Sequence, residues 1–133
     1  MEELLYDSDM VKLVYFKDQH LAHIFWKKNT DSSEYRNIFN AIIEFSEKNQ
    51  IRYVLSDMRK EGLVKTEDLK WMELEVLKRA IEHGVIKIAL VEEDTIFSNI
   101  YAETIKRKLR ESPIDVRIFQ DETSARAWLL SEK

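Results

Sequence analysis

An α/β fold with a mixed, mostly parallel sheet is what this 133-residue chain predicts. Three observations carry that reading. Two near-continuous apolar runs, residues 51–55 ending in Asp57 and residues 85–91 ending in Glu92, have the pattern of strands covered on both faces. A long helical pattern from Thr66 to His83 lies between them, so the three segments make a strand–helix–strand unit. Ahead of that unit, the first third of the chain is rich in β-branched and aromatic residues and reads as a strand meander.

The elements follow in order. Residues 4–6 are a short strand and residues 11–16 a stronger one. Asp18-Gln19-His20 makes a polar turn, and residues 21–26 return as the second arm of a hairpin. A first helix starts near Thr30-Asp31-Ser32-Ser33, where Asp31 and Glu34 have capping-box spacing, and Tyr35, Ile38, Phe39, Ile42 and Phe45 recur on one face. The strand over residues 51–56 leads into a charged loop over 57–65. Thr66 is placed to cap the second helix, with Glu67 and Asp68 in its first turn, where the helix dipole favours acids. In that helix Leu69, Met72, Val76, Leu77 and Ala80 share the face that should meet the sheet. Gly84 stands where a left-handed residue ends a helix. After the strand over 85–91, a third helix spans 97–109 with Phe97, Ile100, Tyr101, Ile105 and Leu109 on one face, and Ser112-Pro113 ends it. A last strand covers 116–119, and Asp121 caps a final helix carrying Ala125, Trp128 and Leu129. The order is β-β-β-α-β-α-β-α-β-α, with parallel strands and right-handed crossovers after residue 51 and antiparallel strands added at one side by the opening hairpin. Residues 1–133 read as a single domain, long enough to bury a core.

Composition narrows function by exclusion. With 21 Lys plus Arg against 25 Asp plus Glu, the net charge of −4 argues against a general nucleic-acid binder, which needs phosphate neutralisation. No cysteine is present, which removes disulfides, thiolate catalysis and Cys-based zinc sites and is compatible with a cytoplasmic location. No basic n-region with an apolar core opens the chain, and no apolar run approaches the roughly 20 residues of a membrane span. Two glycines cannot build a P-loop or a GxGxxG turn, so no nucleotide-cofactor motif is available.

The local pattern resembles the SpoIIAA-like branch of the STAS superfamily, the anti-sigma-factor-antagonist fold, to which the CRAL-TRIO lipid-binding domains are related. The stretches that carry the resemblance are Tyr53-Val54-Leu55-Ser56-Asp57-Met58-Arg59, then Trp71, then Arg79 to Ala89, and the tail Arg117-Ile118-Phe119 with Ala125 and Ala127-Trp128-Leu129. These are packing and capping residues spread over nearly the whole chain. The resemblance implies a non-enzymatic bacterial module that regulates or binds proteins. The alternative is a small apolar-ligand or lipid-binding domain of the CRAL-TRIO type. Antagonists of this fold that switch partners by phosphorylation carry an Asp-Ser pair at the helix start; here Asp57 is followed by Met58 and Arg59, and the nearest hydroxyl at the helix start is Thr66.

Among candidate sites, Trp71, Leu74 and Ile81 fall on a different flank of the second helix from its core face, with the stem of Lys78 beside them. This stripe is either a protein-binding or dimer surface with an aromatic anchor, or one edge of a broad buried face. Asp57, Arg59, Lys60 and Thr66 lie past the carboxyl end of a central strand, where open α/β sheets bind ligands. Arg59 there either grips an anion or belongs to a solvated loop with local salt bridges. Glu92, Glu93 and Asp94 with Asp57 form at most an acidic cluster, and no metal site is assigned to it. His20 and His23 point to opposite strand faces and make no ready metal pair, and His83 reads as a helix-end residue. A triad of Ser56, His83 and Glu92 has no supporting spacing. Lys106, Arg107, Lys108 and Arg110 read as a solvated helix face paired with Glu103 and Glu111. The aromatics Tyr15, Phe16, Phe25, Trp26, Tyr35, Phe39 and Tyr53 read as core, with an apolar pocket as the other possibility. The expectation is an interaction module with a protein partner or a second copy, with an apolar small molecule as the alternative, and with no catalytic residue and no cofactor.

Overall fold

The computed structural model describes residues 2–28, 30–60, 64–93 and 96–131. Its six strands are β1 (Glu2–Asp7), β2 (Val11–Phe16), β3 (Leu21–Trp26), β4 (Tyr53–Asp57), β5 (Lys87–Val91) and β6 (Asp115–Phe119), and they lie side by side in chain order. The β1–β2 and β2–β3 pairs are antiparallel, and the three that follow are parallel. A bulge between Leu4 and Tyr6 shifts the register of β1.

Helix α1 (Ser32–Ser46) connects β3 to β4. A continuous rod made of α2 (Thr66–Trp71), a π turn (Met72–Val76) and α3 (Leu77–Glu82) connects β4 to β5, and α4 (Ile96–Lys108) connects β5 to β6. Because each crossover steps to the next strand in the same direction with the same hand, all three pack on one face of the sheet. Helix α5 (Glu122–Leu129) follows β6 and covers the other face. Counting the rod as one, this is the mixed sheet with four helices that the sequence predicts.

Local chemistry explains most boundaries. Asp31 caps α1 by accepting from the Glu34 N–H at 2.9 Å. The reciprocal half of a capping box is absent, because the Glu34 carboxylate turns to β1 instead. There it takes hydrogen bonds from Tyr6 Oη at 2.6 Å and from Ser8 Oγ. Asp121 caps α5, accepting from both the N–H and the Oγ of Ser124. The rod ends in a Schellman motif: Val85 N–H reaches Ala80 O, Gly84 N–H reaches Ile81 O, and Gly84 takes φ 88°.

Two expectations need correcting. Thr66 is not the cap; Lys65 holds that position without a side-chain bond, and Thr66 is the exposed first residue of α2. Ile100 is not on the inner face of α4 but is 59 % exposed, while Tyr101, Ala102, Ile105 and Leu109 turn inward. At about 100° per residue, Ile100 falls behind the stripe that Tyr101, Ile105 and Leu109 define at four-residue intervals. The side chain of Phe97 lies outside the described residues.

Candidate functional site

The core face of the rod is where the fold leaves room. Met72, Val76 and Leu77 are all buried, as their spacing predicts. In a regular α-helix, however, Leu77 would stand about 140° around the axis from Met72. The π turn removes that offset: the Leu77 N–H bonds to Met72 O, five residues back, and both side chains meet the sheet. The widened segment borders a space between the rod and its neighbours.

That space is an apolar cavity of about 80 Å³. Ile24, Val54, Ile88 and Leu90 on β3, β4 and β5 make its floor. Phe39, Ile42 and Ile43 of α1 form one wall, Met72, Val76 and Leu77 of the rod another, and Tyr101 and Ile105 of α4 close the far end. Few polar groups reach it. Ser56 Oγ accepts from the buried Trp26 Nε1 at 2.9 Å, and Tyr101 Oη is 2.8 Å from Tyr35 Oη. The remaining polar lining residues, Ser46, Arg79 and His83, are partly or fully exposed and mark where the cavity meets solvent between the ends of α1 and α3. A hydrogen bond of 2.8 Å between Ser46 Oγ and His83 Nδ1 bridges the two helices at this mouth. Ser46 has one proton and also lies 2.7 Å from Ile43 O, so donation to that carbonyl makes His83 the donor in the bridge.

The Ser56, His83 and Glu92 triad does not form, since Ser56 pairs with Trp26 and His83 with Ser46. Nor does the Ser46–His83 pair have a nucleophile's surroundings: Ser46 ends a helix whose nearest groups are carbonyls, the wrong polarity for an oxyanion.

The outer side of the same rod carries the candidate interaction stripe. Leu74 is 61 % exposed, Ile81 is 37 % exposed, and Lys78 is exposed between them. Trp71 is half-buried. Its ring meets Phe39 edge-on at 6.4 Å, and the Arg36 guanidinium lies 4.9 Å from its centroid. Arg36 in turn donates from Nε to Asp68 Oδ1 at 3.0 Å, and Ser32 Oγ donates to Asp68 Oδ2 at 2.6 Å. Burial pushes the Asp68 carboxyl up, but these hydrogen bonds and the Arg36 charge outweigh it and hold the group below its ordinary value. The sequence pattern predicts only a dipole role for Asp68; its pairing with α1 comes from the fold, which brings the starts of α1 and α2 together.

In the loop after β4, Arg59 is occupied locally. Its Nε and Nη2 donate to the two carboxylate oxygens of Asp57 at 2.8 and 2.6 Å. Burial raises the Asp57 pKa, and the Arg59 bonds more than reverse that, leaving it lowered. Lys60 and Thr66 are exposed, and residues 61–63 lie outside the described residues. Glu92 is buried and Glu93 exposed; Asp94 lies outside the described residues. Among the described residues no three acids or histidines come together as metal ligands. Lys106, Arg107, Lys108 and Arg110 are exposed, and among the described residues they form no ion pair with Glu103 or Glu111.

On the α5 face, His23 is the unforeseen feature. It is fully buried and stacks on Phe25 with centroids 3.7 Å apart. Arg126 Nη2 donates to His23 Nδ1 at 3.0 Å and Nη1 donates to Gln19 Oε1 at 3.0 Å, while the guanidinium lies 4.5 Å from the Phe16 centroid. Burial, followed by the Arg126 charge, lowers the His23 pKa to about 3, so the ring is neutral at pH 7.

A family model described as SpoIIAA-like matches residues 21–130, from β3 into the last turn after α5. The chain belongs to the SpoIIAA-like family, among STAS-type regulatory and interaction modules. No curated protein and no solved structure gives a significant match. Among the described residues no helix is long and apolar enough to cross a membrane.

Proposed function

We propose that this SpoIIAA-like domain works by binding rather than by catalysis, and that its cavity holds a small apolar molecule. The observation that carries this is the cavity itself: apolar on nearly every side, roofed by a π turn, and open to solvent at one mouth. Natural cores leave few voids larger than a water molecule, and apolar cavities stay dry and take up apolar guests. At about 10–15 Å³ per water-sized occupant, this one has room for roughly half a dozen carbon-sized atoms. Xenon is a suitable first probe because it has no polar group to find another site. Under xenon pressure, methyl shifts are expected at Met72, Val76, Leu77, Ile88 and Leu90 in the NMR spectrum. Shifts confined to the exposed Leu74 and Ile81 would rule the reading out.

A second reading has its own observation. Leu74, Lys78 and Ile81, with the outer edge of Trp71, present apolar side chains to solvent along one line of the rod. This supports a contact surface for a protein partner, a second copy of the chain included. In both readings Arg59 stays paired with Asp57.

A further inference from the structure

We infer that the cavity's natural occupant is a short-chain carboxylic acid, its hydrocarbon end inside and its carboxylate at Arg79. This rests on the reading of the cavity as a small-molecule site and adds the polar end of the ligand. The mouth lies between the last turn of α1 and α3, and among the described residues that line it Arg79 is the only arginine or lysine. Among the described residues Arg79 makes no ion pair, although Glu75 and Glu82 stand one turn away on either side of it. Arg79 lines the apolar cavity, is exposed and has no carboxylate partner among the described residues, so its guanidinium suits a planar two-oxygen anion, which it can grip with two parallel N–H donors.

Two further features favour that placement. Three carbonyls in the last turn of α3, which would otherwise repel an anion, are already taken. Arg79 O accepts from His83 N–H, Ala80 O from Val85 N–H and Ile81 O from Gly84 N–H. The Ser46–His83 bridge fixes the two helix ends at the mouth, so the distance between the cavity and Arg79 does not depend on a free loop. The size also fits. Room for roughly half a dozen carbon-sized atoms matches a short alkyl chain with its carboxylate outside.

The test compares hexanoate with hexanamide, which has the same shape without the charge, by NMR titration of the wild-type protein and of Arg79→Gln. Arg79 is exposed, so the variant is expected to fold. Both compounds should shift the methyls of Met72, Val76 and Ile88, with hexanoate binding about tenfold more tightly to the wild type, an advantage of the order a partly solvated charged hydrogen bond provides. In Arg79→Gln the two should bind within about twofold of each other. Equal binding of both compounds to the wild type, or a preference that survives in Arg79→Gln, would overturn the assignment of the carboxylate to Arg79 and leave the cavity as an apolar site. If xenon enters and neither compound does, the ligand class is wrong but the cavity reading stands. If xenon also fails to enter, both readings fall.

Discussion

On one face of the sheet, α1, the rod and α4 lay three helices over β2 to β6, and nearly everything between them is hydrocarbon. On the other, α5 alone covers β4, β5 and β6, and the ground over β2 and β3 is closed by side chains with polar ends. Arg126 lies across Phe16 to reach Gln19 and His23, and Lys12 sits 4.7 Å from the Phe25 centroid. Lys87, buried in β5, sends its ammonium to Trp128 O and Ser131 O at 3.0 and 3.1 Å, where it meets the negative end of α5. The first face has apolar material to spare and can leave a cavity unfilled. The second has little, and closes with hydrogen bonds that tolerate neither slack nor a change of charge. The proposed ligand site therefore lies on the helical face, and the buried His23 on the α5 face.

The largest effect should come from emptying the first face where it is full. Ile38 in α1 is fully buried outside the cavity lining, so Ile38→Ala is expected to lose about 2–5 kcal/mol. Ile42 lines the cavity and is only partly buried, so Ile42→Ala, which removes the same atoms from a wall already short of contacts, should lose less than half as much. Urea unfolding of both variants reads the difference. Equal losses would mean that the cavity wall is as tightly packed as the rest of the core.

The next effect belongs to the second face. His23 has a folded pKa of about 3 against about 6.5 when unfolded. Between those values the unfolded chain takes up a proton that the folded one refuses. The corresponding stability is complete above about pH 6.5 and is lost as the pH falls toward 3. From pH 7 to pH 5 the loss attributable to His23 is about 2 kcal/mol. His23→Gln keeps an acceptor for Arg126 and has no proton to gain, so its unfolding free energy should fall by that much less over the same interval. Arg126, Lys12, Asp57 and Glu122 are the charged groups that face the ring, and none is altered in the variant. An identical slope in both proteins would place the pH response elsewhere.

What could be read from the sequence differs between the faces in the same way. Strand positions, the helical crossovers, the Asp31 and Asp121 caps and the Gly84 terminus follow from local rules, because each depends on residues within a turn of one another. The core stripe of the rod was legible for the same reason, but the π turn that lets Met72 and Leu77 share it was not. Five-residue bonding is a concession to packing against α1 and the sheet, and no local preference announces it. The cavity left no trace in the residue pattern, since a void consists of atoms that are not there. His23 could be placed on a strand, but its hydrogen-bond partner Arg126 is 103 positions away. Asp68 and Arg36 are separated by 32 positions and meet only because α1 and α2 pack side by side.

The smallest effect on stability should accompany the clearest effect on association. Among the described residues Leu74 is the most exposed of the large apolar side chains, and it projects from the middle of the π turn, away from the cavity. Leu74→Ser removes apolar surface that the folded monomer does not bury, so the unfolding free energy should change by less than about 0.5 kcal/mol. If the outer side of the rod is a contact surface, the same change should weaken self-association or partner capture by tenfold or more, as hot-spot residues do. Sedimentation velocity across a concentration series reads the first case. Trp71 is a poorer choice for this experiment. Its ring is held between Phe39 and Arg36, so Trp71→Ala disturbs the junction of α1 with α2 and mixes a stability loss with any loss of contact. Association unchanged in Leu74→Ser would leave the cavity on the inner side as the rod's functional face, and the exposed leucine as ordinary surface.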